Sequence, residues 1–270
     1  MMRAMRFSLR RAACAFLFTA MPAIVAAGTT VRLEELTSTE LRDAIGSGKT
    51  TILIPIGGTE QNGPHLALGK HNRRVQMLAD RIAQSLGNAL VAPVVAYVPE
   101  GNLDPPTAHM RFAGTITVSS EAFIQVLEYA ARSFRVHGFR DIVFLGDHGG
   151  YQRELVRAAQ RLNRGWTGGA VRAHALPEYY RVVETDYPRL LRARGLRDDE
   201  IGAHAGLADT ALMLALDPAM VRTEQFASRS FDRTDGVIGN PRRATPELGR
   251  LGVDLIVTRT TDAIREAARR

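Results

Sequence analysis

The sequence predicts an α/β fold, a three-layer α/β/α sandwich with a mainly parallel central sheet. Three observations predict it. Short β-rich runs such as Thr51-Ile52-Leu53-Ile54-Pro55-Ile56 lack polar alternation, as expected of strands covered on both faces. These runs alternate with helical patterns of about 10 to 17 residues, the signature of βαβ units. The chain also has 270 residues, 45% hydrophobic and 23% charged, enough to bury one substantial core.

Thr37-Ser38-Thr39 caps a first helix carrying Leu41, Ala44 and Ile45, and Gly46 and Gly48 end it before the strand 51–56. A helix near 72–86, a strand near 89–95, a long loop, a helix near 120–136 and the strand 141–145 follow. Helix and strand alternate again through 151–163 and 169–174. The Ala203–Thr210 segment opens an apolar helix, and 222–247 reads as a long surface excursion before a C-terminal helix. Right-handed crossovers place every strand's C-terminal end along one edge, where ligands bind in such sheets. The loops there are 57–71, 97–118 and 146–151.

Residues 1–27 read as a secretory signal peptide and 28–270 as a single domain. Arg3, Arg6, Arg10 and Arg11 precede an apolar run that ends in Val25-Ala26-Ala27, small residues suited to signal peptidase. Thr19 and Pro22 break the run, which is shorter than the roughly 20 apolar residues that span a bilayer. A periplasmic or secreted protein without stable membrane insertion is expected. No acid precedes Glu34, so removal of the four arginines lowers the formal charge from +7 to +3. Arg73, Arg74, Arg153, Arg157, Arg161 and Arg164 lack interleaved aromatics, which suits a solvated helix surface and excludes a nucleic-acid face. The single cysteine, Cys14, lies in the leader, so a metal in the mature chain must use nitrogen and oxygen ligands.

Gly46-Ser47-Gly48-Lys49-Thr50 imitates a phosphate loop, but it runs into a strand, and no G-x-G-x-x-G or G-x-S-x-G motif occurs. Chemistry concentrates elsewhere. Glu60, Gln61, Asn62, His65 and His71 follow one buried strand, and His148 sits between glycines after another. His204 and Asp209 lie at the start of the apolar helix, where Asp209 also suits the helix dipole. His109 reads as a loop histidine.

Together these segments resemble the creatininase (creatinine amidohydrolase) family: G-x-T-E-Q-x-G-P-H-L at 57–66, H-x-x-F-x-G-T-I at 109–116, H-G-F-R-x-I at 137–142, G-x-H-G-G at 146–150, H-A-G-x-x-[ED]-T at 204–210, and the tail from Gly236 to Glu247. The resemblance implies a metal-dependent hydrolase of cyclic or linear amides, a three-layer α/β fold and a homo-oligomer, commonly a hexamer. It also implies metal ligands at Glu60 and His148. Asn62 stands at the family's histidine position, His71 at its bridging aspartate, Asp209 at a glutamate, and Ala108 at the acid preceding His109.

A neutral imidazole offers one lone pair at a time, whereas a carboxylate bridges two cations, so His71 suits a mononuclear centre. The expected set is Glu60, His71 and His148 around one divalent ion, zinc first, with manganese or iron as alternatives. Asp209 is expected to ligate or act as general base, and His204 to protonate the leaving nitrogen or steady the oxyanion. Asn62 is expected to donate to substrate or water. The partner is a small-molecule amide. The altered ligands also motivate a rival reading, a non-catalytic relative with a ligand-binding or structural role in the periplasm.

Overall fold

The computed structural model describes residues 30–228 and 231–269, so the leader reading of residues 1–27 lies outside the described residues. Four strands, β1 (Thr51–Ile56), β2 (Ala89–Val91), β3 (Asp141–Gly146) and β4 (Arg172–Ala175), form a sheet of order β2-β1-β3-β4. All three pairings are parallel, with Thr51 opposite both Ala89 and Asp141, and Asp141 opposite Arg172. The helices that connect or flank them are α1 (Ser38–Gly46), α2 (Lys70–Leu86), α3 (Ser120–His137), α4 (Gln152–Gly165), α5 (Glu178–Glu184), α6 (Asp186–Arg192), α7 (Asp198–Ile201), α8 (Leu207–Leu216), α9 (Gln225–Ser228) and α10 (Pro246–Ala268).

The expected α/β architecture is present, and strand alternation shows why. Leu53, Val91, Val143 and Leu145 turn to a core shared with α2, α5, α6, α8 and α10. Ile52, Ile54, Ile56, Leu90, Ile142 and Phe144 turn to the opposite core, built with α3 and α4. Strands buried on both faces favour apolar side chains at nearly every position, which explains the long apolar runs. Each such side chain contributes about 1.5–3 kcal/mol on burial. Where α8 meets α10, a Cβ at Gly249 would collide with the Ala211 carbonyl, so glycine permits the close approach.

Local chemistry sets the ends. Thr37 and Glu40 form a reciprocal capping box at α1, and Ser119 caps α3. Strand β2 is shorter than the expected 89–95, stopping at Val91 with only an isolated bridge from Val95 to Ile56. Pro93 supplies no N–H to continue the ladder. Strand β4 starts at Arg172 rather than 169, because Gly168 takes a positive φ and Gly169 is part of the preceding turn. Helix α2 begins two residues early, at Lys70, which turns Lys70, His71 and Arg74 inward. Among the described residues no helix is long and apolar enough to cross a membrane.

Candidate active site

The loops leaving β1, β2 and β3 converge at one edge of the sheet. After β1 the chain runs beside the start of α2, and a Cβ on Gly57 would overlap Asn72. Glu60 then lies fully buried, its N–H donating to the Leu68 carbonyl. Asn62 staples this turn from behind: its Nδ2 donates to the Glu60 carbonyl at 2.9 Å and lies 3.4 Å from that of Ala67. After β3, the Tyr151 hydroxyl accepts from the N–H groups of Asp147 and His148, both at 3.1 Å, and lies 2.8 and 2.6 Å from the Ile56 and Gly57 carbonyls. One phenol therefore ties the His148 loop to the end of β1.

The loop after β2 supplies two residues absent from the sequence-derived ligand set. Glu100 is 3% exposed, and His109 sits in the 3-10 turn Ala108–Arg111. Ligand atoms of Glu60, Glu100, His109 and His148 all lie within 4.8 Å of one another. His109 Nε2 and His148 Nε2 are 3.2 and 3.5 Å from Glu60 Oε2, while His148 Nδ1 is 3.5 Å from Glu100 Oε1. Despite this crowding, Glu60 Oε2 and both Glu100 oxygens make no hydrogen bond.

Buried carboxylate oxygens without partners carry a large desolvation cost. Burial and the neighbouring Glu60 push the Glu100 carboxyl up to about 9. Burial opposes ionisation of Glu60 too, but His71, then His148 and Lys70, hold its carboxyl below the usual range. Burial pushes the His148 imidazole down to about 3 against the opposing pull of Glu60, and likewise lowers His109. Two neutral imidazoles and three unpartnered carboxyl oxygens form a donor set that fits one divalent cation of the zinc or manganese type.

His71 joins Glu60 and His148 in space, as expected, but its surroundings differ from those of a ligand. Its Nε2 lies 2.7 Å from Glu60 Oε1 and its Nδ1 lies 2.7 Å from Asp147 Oδ2, so both nitrogens are engaged by carboxylates. Behind it, Arg74 Nε donates to Asp147 Oδ2 at 2.8 Å and Arg74 Nη1 to Asp209 Oδ1 at 2.6 Å. Tyr179 donates to Asp147 at 2.7 Å, and Lys70 Nζ donates to Asp209 Oδ2 at 3.0 Å. Arg74 is only 1% exposed, which corrects its expected place on a solvated helix surface.

The remaining expected residues divide. His204 is at the site: its Nδ1 is 3.8 Å from Glu60 Oε1, and its ring lies 4.5 Å from that of His109. The Gln61 amide nitrogen lies 3.1 Å from both His109 Nδ1 and His204 Nε2, and His204 Nε2 also lies 3.0 Å from the Gln61 main-chain carbonyl. Burial, then the Lys70 ammonium, push His204 down to about 4. Asp209 is held by Lys70, Arg74 and the Ala205 N–H, so its carboxylate is not free to take a proton from water. Asn62 Nδ2 is turned to the backbone. His109 was legible as a motif member, whereas Glu100 carried no signal beyond its place in a loop at the correct edge.

A cavity of about 510 Å³ opens over these groups, lined in part by His109, His148, His204, Lys70, Arg111 and Arg233. Fold and site together define an α/β protein with a buried carboxylate and imidazole cluster at the C-terminal edge of a parallel sheet. The chain belongs to the creatininase family, whose creatinine amidohydrolase model matches residues 34–264. It is 29% identical over 261 residues to the mycofactocin precursor peptide peptidase of Mycobacterium tuberculosis (strain ATCC 25618 / H37Rv), covering 83% of this chain and 86% of the relative. To the creatinine amidohydrolase of Pseudomonas putida it is 23% identical over 250 residues, covering 86% and 95%. A crystal structure of creatinine amidohydrolase (creatininase) superposes with a TM-score of 0.72 at 23% identity, covering 88% of this chain and 98% of that one. Other solved creatininases include a Zn-Zn type and a manganese form.

Proposed function

We propose that this protein is a hydrolase of amide C–N bonds that uses one divalent metal held by Glu60, Glu100, His109 and His148. The observation that carries the reading is the convergence of those four side chains, with three orphaned carboxylate oxygens, beneath an open cavity. A divalent cation there supplies Lewis acidity, polarising an amide carbonyl and acidifying a water molecule. Zinc or manganese is favoured by the mixed nitrogen and oxygen donors and by the relatives described as zinc and manganese forms.

The chain's own groups would do the rest. His204, oriented by Gln61, presents a hydrogen-bonding imidazole to the reacting carbonyl. His71, clamped between Glu60 and Asp147, positions Glu60 and does not ligate. Lys70 and Arg74 neutralise Asp209 and Asp147 where a second cation would otherwise be needed, which favours a mononuclear centre. The inward position of His71, 3% exposed, favours the enzyme over a non-catalytic relative.

Two of the activities named among the relatives, a peptide peptidase and an amidohydrolase, leave cyclic and linear amides as candidates. A panel of lactams, formamides, N-acyl amino acids and dipeptides, assayed with zinc and with manganese, tests the reading. Turnover that chelation abolishes and metal restores supports it, and inactivity of metal-loaded protein on the whole panel opposes it. Export and self-assembly belong to the same proposal. A processed N-terminus near Gly28 and a homo-oligomeric mass in light scattering are the expected results.

A further inference from the structure

Among the described residues, four fixed cations and two carboxylates line the cavity, and the cations are of two kinds. Lys70 and Arg74 are buried and paired with Asp209 and Asp147. Arg111 and Arg233 are exposed, and neither forms an ion pair among the described residues. Arg111 makes only a long 3.4 Å contact from Nε to the Pro106 carbonyl. The two carboxylates of the cavity are thus spent on the inner pair, and the outer pair has no ion-pair partner among the described residues.

Both outer arginines are built into the site's framework. Arg111 ends the short turn that carries His109. Arg233 begins the turn Arg233–Asp235, fixed by Asp232 accepting from the Thr234 N–H at 2.7 Å. That turn leads into Gly236, whose carbonyl accepts from the Gln61 amide at 3.1 Å, next to Glu60. Guanidinium groups pair with planar anions such as carboxylates, and Arg111 and Arg233 line one cavity from separate loops.

Resting on the hydrolase reading above, we infer that the substrate is an amide that bears a carboxylate, which Arg111 and Arg233 bind while the amide lies over the Glu60, His109 and His148 cluster. A cavity of about 510 Å³ accommodates an N-acyl amino acid or a dipeptide. A neutral lactam leaves both arginines without a partner.

The test is equilibrium binding by calorimetry to zinc-loaded full-length protein. The probes are two matched pairs, N-acetyl-L-alanine against N-acetyl-L-alaninamide and glycyl-L-alanine against glycyl-L-alaninamide, which also separate an acyl amino acid from a peptide terminus. In at least one pair the carboxylate is expected to bind about tenfold or more tightly than its amide. R111Q and R233Q should each reduce that ratio, and the double variant, with its fold checked by circular dichroism, should bring the carboxylate down to the affinity of the amide. Equal binding within both pairs, no binding of either carboxylate, or a ratio unchanged in the double variant overturns the inference. A carboxylate preference without turnover would instead leave the arginine subsite standing and count against the hydrolase reading.

Discussion

His109 Nε2 lies 3.2 Å from Glu60 Oε2, although the two residues belong to loops leaving different strands and no hydrogen bond aligns them. Two such atoms are held that close by a proton or by a cation between them. With His148 and Glu100 arrayed around the same carboxylate, one cation satisfies all four groups.

His109→Ala and Glu100→Gln are therefore expected to weaken zinc affinity by at least the about 10- to 100-fold seen when groups supporting a metal are lost. Competition with a chromogenic chelator measures this. Unchanged affinity in both variants would remove Glu100 and His109 from the ligand set.

His71→Ala should separate two readings of this histidine. If it positions Glu60, the variant keeps one metal per chain but loses stability. Glu60 and Asp147 each lose a buried partner, at about 1–3 kcal/mol apiece. Metal content by atomic emission and a urea melt together decide the matter. Loss of the metal would restore His71 to the ligand role its sequence position suggested.

The sequence disclosed the sheet because strands buried on both faces favour apolar residues, and it disclosed the site's edge because parallel strands end together. Glu60, His148 and His204 were legible for that reason, aided by the family motifs. Glu100 was not, since an acid in a long loop looks solvated until the fold of residues 97–118 buries it. The roles of His71 and Asp209 were obscured because charge pairing is a three-dimensional property. Nothing in the spacing of Lys70 and Arg74 reveals that both turn inward to claim Asp209.

The Asp209 pairing predicts a pH signature. Despite burial, Lys70 and Arg74 hold the Asp209 carboxyl well below its ordinary 3.8. A carboxyl depressed on folding contributes its full stability above 3.8 and loses it as pH falls towards the folded value. Asp209→Asn should therefore be less stable than the parent by about 3–5 kcal/mol near neutrality, since two buried cations lose their partner. That gap should narrow as the pH is lowered below about 4. Denaturant melts across this range test it, and a gap independent of pH would mean that the ion pairs contribute nothing.

Tyr151→Phe keeps the ring in the core but removes the hydroxyl that accepts from Asp147 and His148. A loss of about 1–3 kcal/mol is expected, because the His148 N–H is left without an acceptor while that of Asp147 keeps the Ile56 carbonyl. Zinc affinity should weaken as well, because His148 is then less firmly placed. Parent-like values in both measurements would show that the glycine-flanked loop holds its shape unaided.

The most direct measurement is an anomalous difference map from crystals of the zinc-loaded protein, collected at the zinc edge. A single peak per chain is expected, within bonding distance of Glu60, Glu100, His109 and His148, with His71 still bridging Glu60 and Asp147. Two peaks, a peak coordinated by His71, or no peak among these four side chains would contradict the mononuclear centre on which the proposed chemistry depends.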